Sequence, residues 1–135
     1  MGRGPRVDPE GGFQHAWNRG VGRRTLFERP ADQRYFLSRV ARQVRAGRIQ
    51  VHAYTLSLNH FHLLVCSPKG ELSKAMHWIQ NQYSRWFNRR RHRDGPLYRN
   101  RYGAKLVVSG VHWETLLWYI DRHPLKEGLA ADPRD

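Results

Sequence analysis

Two hydrophobic periods alternate along this chain, and the switches between them outline its elements. Period two runs through Phe13-Gln14-His15-Ala16-Trp17, through residues 49–56 and again through residues 60–65, as expected of strands. Tyr35, Phe36, Leu37, Val40 and Val44 instead recur at helical steps after Pro30. Asp32 can cap that helix and Gly47 can stop it. A second helical pattern over residues 73–91 sets Leu72, Met76, Ile79, Tyr83, Trp86 and Phe87 on one stripe. A further strand is expected over 103–108 and a last helix over 111–123, with Pro124 after it. Turns at Asn18-Arg19-Gly20 and Ser57-Leu58-Asn59 end the first strand and join the second and third as a hairpin.

The order strand, helix, strand, strand, helix, strand, helix predicts an α+β fold. It is the split βαβ, ferredoxin-like pattern, an antiparallel sheet with helices packed on it and an added C-terminal helix. Many unrelated proteins share this order, so it carries no function by itself. Residues 1–10 and 130–135 are Gly, Pro and charge and are expected to be disordered, leaving one domain over 11–129.

Charge changes the picture. The 24 Lys and Arg against 11 Asp and Glu give +13, and most of the cations are Arg. Arg forks onto phosphate and stacks on bases, and here the cations are spread over all elements rather than along one amphipathic helix. Nucleic acid is therefore favoured over a membrane surface. One cysteine, Cys66, excludes an intramolecular disulfide, and its Leu-Leu-Val-Cys setting reads as core. No apolar run approaches a membrane span and no signal peptide is visible, so a cytoplasmic protein without membrane contact is expected.

The chemistry concentrates in Asn59-His60-Phe61-His62-Leu63-Leu64-Val65. Residues two apart on a strand share a face, so His60 and His62 can present two imidazoles to one ion, while Phe61, Leu63 and Val65 face the other way. With one cysteine and no CxxC pair, the sequence does not favour structural zinc; a divalent cation on two His and a further N or O donor would polarise a phosphate. Tyr83, on the apolar stripe of a basic helix, is the candidate nucleophile, with Arg85, Arg89 and Arg90 as the field favouring its phenolate. Clustered carboxylates, a P-loop and a Gly-x-Ser-x-Gly elbow are all absent from the sequence.

In six ordered segments the chain resembles the HUH single-tyrosine transposases, specifically the REP-associated tyrosine transposases. These are His15…Arg19-Gly20; Val51-His52-Ala53-Tyr54; Asn59 to Val65; Tyr83 to Arg89; Gly95-Pro96-Leu97-Tyr98…Arg101-Tyr102; and Trp118-Tyr119-Ile120…His123-Pro124. The resemblance implies cleavage and rejoining of single-stranded DNA, often beside a hairpin, through a 5′-phosphotyrosine. It maps the metal pair onto His60 and His62, the nucleophile onto Tyr83, and the cofactor onto Mg²⁺ or Mn²⁺. A third ligand is expected one helical turn after the tyrosine; that position is Phe87, so Asn88 is the first substitute and Gln80 the second. Ser57-Leu58 stands where the family has Met-Pro, and His123-Pro124 where it has Asn-Pro. Arg19, Arg23, Arg24, Arg99 and Arg101 are further candidate DNA contacts, in a monomer or homodimer. The rival expectation is a catalytically inactive single-strand binder that keeps only the basic, aromatic surface; relaxases and replication initiators share the chemistry but tend to be longer.

Overall fold

The period-two segments form β1 (Gly12–Arg19), β2 (Gln50–Leu56), β3 (His60–Ser67) and β4 (Gly103–Leu106). The helical stripes form α1 (Pro30–Arg45) and α2 (Leu72–Arg90), and a single 3₁₀ turn spans Val21–Arg23. The computed structural model describes residues 12–98 and 100–107. The helix expected over 111–123, both expected disordered ends and Arg99 lie outside the described residues.

The four strands form one sheet in the order β2-β3-β1-β4, with every neighbouring pair antiparallel. This is the ferredoxin-like arrangement the element order predicts. Two boundaries differ from the sequence reading for a physical reason. β1 continues through Asn18 and Arg19, which pair with Phe61 and His60, so the chain turns at Gly20 and not before it. α1 begins at Pro30, where a missing N–H costs nothing in the first helical turn. Asp32 sits inside that turn and reaches back, its Oδ2 accepting the N–H groups of Glu28 at 2.9 Å and Arg29 at 3.0 Å.

Both helices cover the same side of the sheet. One buried cluster joins Phe61, Leu63 and Val65 of β3 to Phe36 and Val40 of α1 and to Ile79, Tyr83 and Phe87 of α2. Each buried aromatic or aliphatic side chain of this kind contributes about 1.5–3 kcal/mol relative to exposure. Because strand residues alternate, this packing assigns the opposite face to His15, Trp17 and Arg19 of β1 and to His60, His62 and Leu64 of β3. In the register, Trp17 is opposite His62 and Arg19 opposite His60. Thr55 of β2 and Gly103 of β4 extend that face on either side, opposite His62 and Trp17.

Candidate active site

At the Gly20 end of the sheet, β1 and the β2–β3 hairpin are tied together by backbone. The N–H of Gly20 donates to the Asn59 carbonyl at 3.0 Å, and the Leu26 N–H donates to the Leu58 carbonyl at 2.7 Å. The Val21 N–H adds a bond to the Leu97 carbonyl at 2.9 Å. Gly20 has an ordinary extended φ of −69°, so its need is space and not backbone freedom. A Cβ there would lie 2.3 Å from the Arg24 backbone oxygen. Gly20→Ala is therefore expected to lower Tm and loosen the 3₁₀ turn, at a cost of about 1–3 kcal/mol for an overpacked site. Thermal melting checks the first effect and amide exchange at Val21 and Leu26 the second.

This end holds a cleft of about 750 Å³ whose wall includes Trp17, Arg19, Arg23, His60, His62 and Arg101. The His60 and His62 rings are 5.0 Å apart between centroids and nearly perpendicular. Ser57 Oγ lies 2.7 Å from His60 Nδ1 and 2.9 Å from Nε2, and Asn59 Oδ1 is 2.9 Å from Nδ1. Burial holds the His60 pKa below its ordinary value, which favours the neutral imidazole that metals bind. His62 Nδ1 is 2.7 Å from His15 Nε2, with the two rings stacked. The tautomer carrying the proton on His62 Nδ1 makes Nε2 the nitrogen with the lone pair a metal would take, the usual way a neighbour orients such a histidine. The donor chemistry of His60 and His62 thus fits two ligands of a divalent ion. Among the described residues, no group of three or more His, Cys, Asp or Glu is arranged to hold a metal.

His15 was not among the site residues expected from the sequence. Its period-two alternation with Trp17 and Arg19 was the available signal, but only the β1–β3 register places it beside the histidine pair.

The structure does not bring Tyr83 to the histidines. Its ring is fully buried on the helix side of the sheet, with ring contacts to Phe27, Phe36 and Trp86. Its hydroxyl donates to the Leu26 carbonyl. Burial is the main cause that drives its pKa far upward, reinforced by Asp32, so the phenolate is opposed where the sequence reading expected it to be favoured. The stripe does face the sheet, but it faces Phe61, and the histidines lie beyond the strand.

The two substitute ligands are likewise on the helix side. Gln80 Oε1 accepts from Asn18 Nδ2 at 2.7 Å, and Asn18 alternates away from Trp17 and Arg19. Asn88 Nδ2 donates to the Gly95 carbonyl at 3.1 Å, and Arg93 donates to Asn88 Oδ1 at 2.5 Å, so its amide organises the loop after α2. Of the expected DNA contacts, Arg19, Arg23 and Arg101 are exposed at the cleft, and exposed Arg24 follows the 3₁₀ turn. Arg85, Arg89 and Arg90 are exposed on α2, and Arg90 stacks 4.8 Å over Trp86. The core packing of α2 puts that helix across the sheet from the cleft.

No curated protein matches the chain. Among solved structures, it is similar to a REP-associated tyrosine transposase bound to a REP hairpin, with a TM-score of 0.75 and 16% identity. That match covers 96% of this chain and 76% of the other. It is also similar to a candidate transposase from Deinococcus radiodurans R1, with a TM-score of 0.56, 17% identity, and coverage of 91% and 97%. At these identities the two structures show a shared fold. No helix among the described residues is long and apolar enough to cross a membrane. The model of the IS200-like transposase family matches residues 15–123, most of the chain, and the chain belongs to that family.

Proposed function

We propose that this transposase cleaves and rejoins single-stranded DNA beside a hairpin, through a covalent 5′-phosphotyrosine and with a divalent cation held by His60 and His62. The observation that carries the reading is the convergence of the two imidazoles with Arg19, Arg23 and Arg101 on one cleft. A bound Mg²⁺ or Mn²⁺ would polarise the scissile phosphate and offset its developing charge. His15 orients His62, Ser57 and Asn59 orient His60, and the arginines draw the phosphate backbone into the cleft.

The nucleophile in this reading is Tyr119, not Tyr83. The chain has 6 tyrosines. Tyr83 and Tyr102 are within the core, and Tyr35, Tyr54 and Tyr98 pack against it. Tyr119 lies outside the described residues and is the one left. Four residues beyond it in sequence is His123, a competent ligand type, whereas the same step from Tyr83 reaches Phe87. In the reaction, the Tyr119 phenol loses its proton as its oxygen attacks phosphorus. The bond from phosphorus to the 3′ oxygen breaks, and that oxygen leaves as a 3′-hydroxyl. A 3′-hydroxyl later attacks the phosphotyrosine, restoring the phenol and joining the strand.

The test is incubation with single-stranded hairpin oligonucleotides and Mn²⁺, followed by a search for a covalent protein–DNA band. Calorimetry separates this reading from an inactive binder. Mn²⁺ binding is expected to weaken at least about tenfold in His60→Ala and His62→Ala, as loss of a ligand demands. Single-strand binding without any histidine-dependent Mn²⁺ binding would favour the inactive binder.

A further inference from the structure

Among the described residues, the wall of the cleft contains one large aromatic side chain that the proposed chemistry does not use. Trp17 is half-buried on the histidine face, opposite His62 in the β1–β3 register and opposite Gly103 in the β1–β4 register. A Cβ on Gly103 would lie 2.5 Å from both Cε2 and Cζ2 of Trp17 and 2.9 Å from Nε1. The indole therefore lies across the Gly103 backbone, a position open only because β4 carries glycine there. The His15 ring lies beside it, tilted 38° to it at 4.8 Å between centroids. Arg19 and Arg101 border the same cleft. A flat ring braced by the Gly103 backbone and the His15 ring, with phosphate-seeking arginines and the candidate metal pair beside it, has the makings of a base-stacking seat.

We propose that Trp17 stacks one unpaired nucleobase next to the scissile phosphate and so sets which phosphate of the strand reaches His60 and His62. Stacking suits this position because every base has a π-face, whereas the phosphates alone would let the strand slide. Seating one base fixes the register of the backbone without selecting strongly among bases. Trp17 acts here as a positioning residue, and Gly103 acts through it. This inference rests on the single-strand DNA reading given above.

The experiment is an abasic scan. Single-stranded oligonucleotides, each lacking the base at one position, are titrated by fluorescence anisotropy against the full chain and against Trp17→Ala, Trp17→Phe and Gly103→Ala. The parent is expected to lose about five- to hundredfold in affinity at one abasic position, the range given by one lost aromatic–base stack. Trp17→Ala should bind the intact strand that much more weakly and be indifferent to the same position, because the stack is already gone. Trp17→Phe should recover part of both effects, which a purely structural role would not produce. Gly103→Ala should behave like Trp17→Ala while keeping the same calorimetric Mn²⁺ affinity as the parent. Parent-like binding by Trp17→Ala, or equal sensitivity to every abasic position in parent and variant, overturns the inference and leaves the transposase reading standing. Failure of the parent to bind any single-stranded oligonucleotide overturns both.

Discussion

A Tyr119→Phe chain is expected to give no covalent protein–DNA band with single-stranded hairpin oligonucleotides and Mn²⁺, whereas Tyr83→Phe gives the parent amount. Phenylalanine keeps the ring and removes the one oxygen that could bond to phosphorus, so the loss at Tyr119 should be complete and not graded. DNA binding by anisotropy and thermal melting should both be near parent for Tyr119→Phe. At Tyr83 the same change removes the hydrogen bond to the buried Leu26 carbonyl. That costs about 0.5–1.5 kcal/mol of stability, visible as a lower Tm, and leaves the chemistry alone. The opposite pattern, an adduct lost in Tyr83→Phe and retained in Tyr119→Phe, would sink the assignment. It would also require Tyr83 to leave the core in the active state.

The largest expected effect on stability is at Arg91. Its guanidinium lies 2.8 Å from the Asp32 carboxylate and 2.7 Å from that of Glu28, and 3.8 Å over the ring of Phe87. Asp32 is 1% exposed, and Arg91 is the cation that balances it. Truncating Arg91 to alanine leaves a buried carboxylate supported by two backbone N–H groups alone. The cost is about 3 kcal/mol, the lower end of the range for breaking a buried pair, because Asp32 keeps those two bonds. For a domain of this size, that corresponds to a fall in Tm on the order of 10 °C. Glu28 is half-exposed, so Glu28→Ala should cost under about 1 kcal/mol. Denaturant melts of the two variants check the contrast; equal losses would mean that the Asp32 contact is not the dominant one. Asp32→Asn should partly relieve the Arg91→Ala defect, since a neutral amide is cheaper to leave in that site.

Local pattern alone was enough for the strands and the two helices among the described residues. Alternation in residues 12–19 and 60–67, the helical stripes of α1 and α2, and the glycine after α1 all act within a few residues of one another. Each is fixed by backbone geometry that the sequence carries directly. Their order implied the ferredoxin-like sheet, because a hairpin and two crossovers leave few ways to pair four strands. The separation of His60 and His62 from Phe61, Leu63 and Val65 was also legible, since period two admits no other division.

Which side of the sheet each group would meet was decided only by tertiary packing. The α2 stripe announced that Tyr83 faces a sheet, but not which face of it. The answer depends on matching its apolar stripe to the apolar set on β3, which places Tyr83 against the core and away from the histidines. His15 and Trp17 joined the site in the same way, through a register with β3 and β4 that spans dozens of intervening residues. The sequence by itself determined that His60 and His62 share one face of β3 and supplied the other residues a site could draw on. The fold determined which of them meet, because pairing across strands is set by burial of the whole sheet and not by neighbours along the chain.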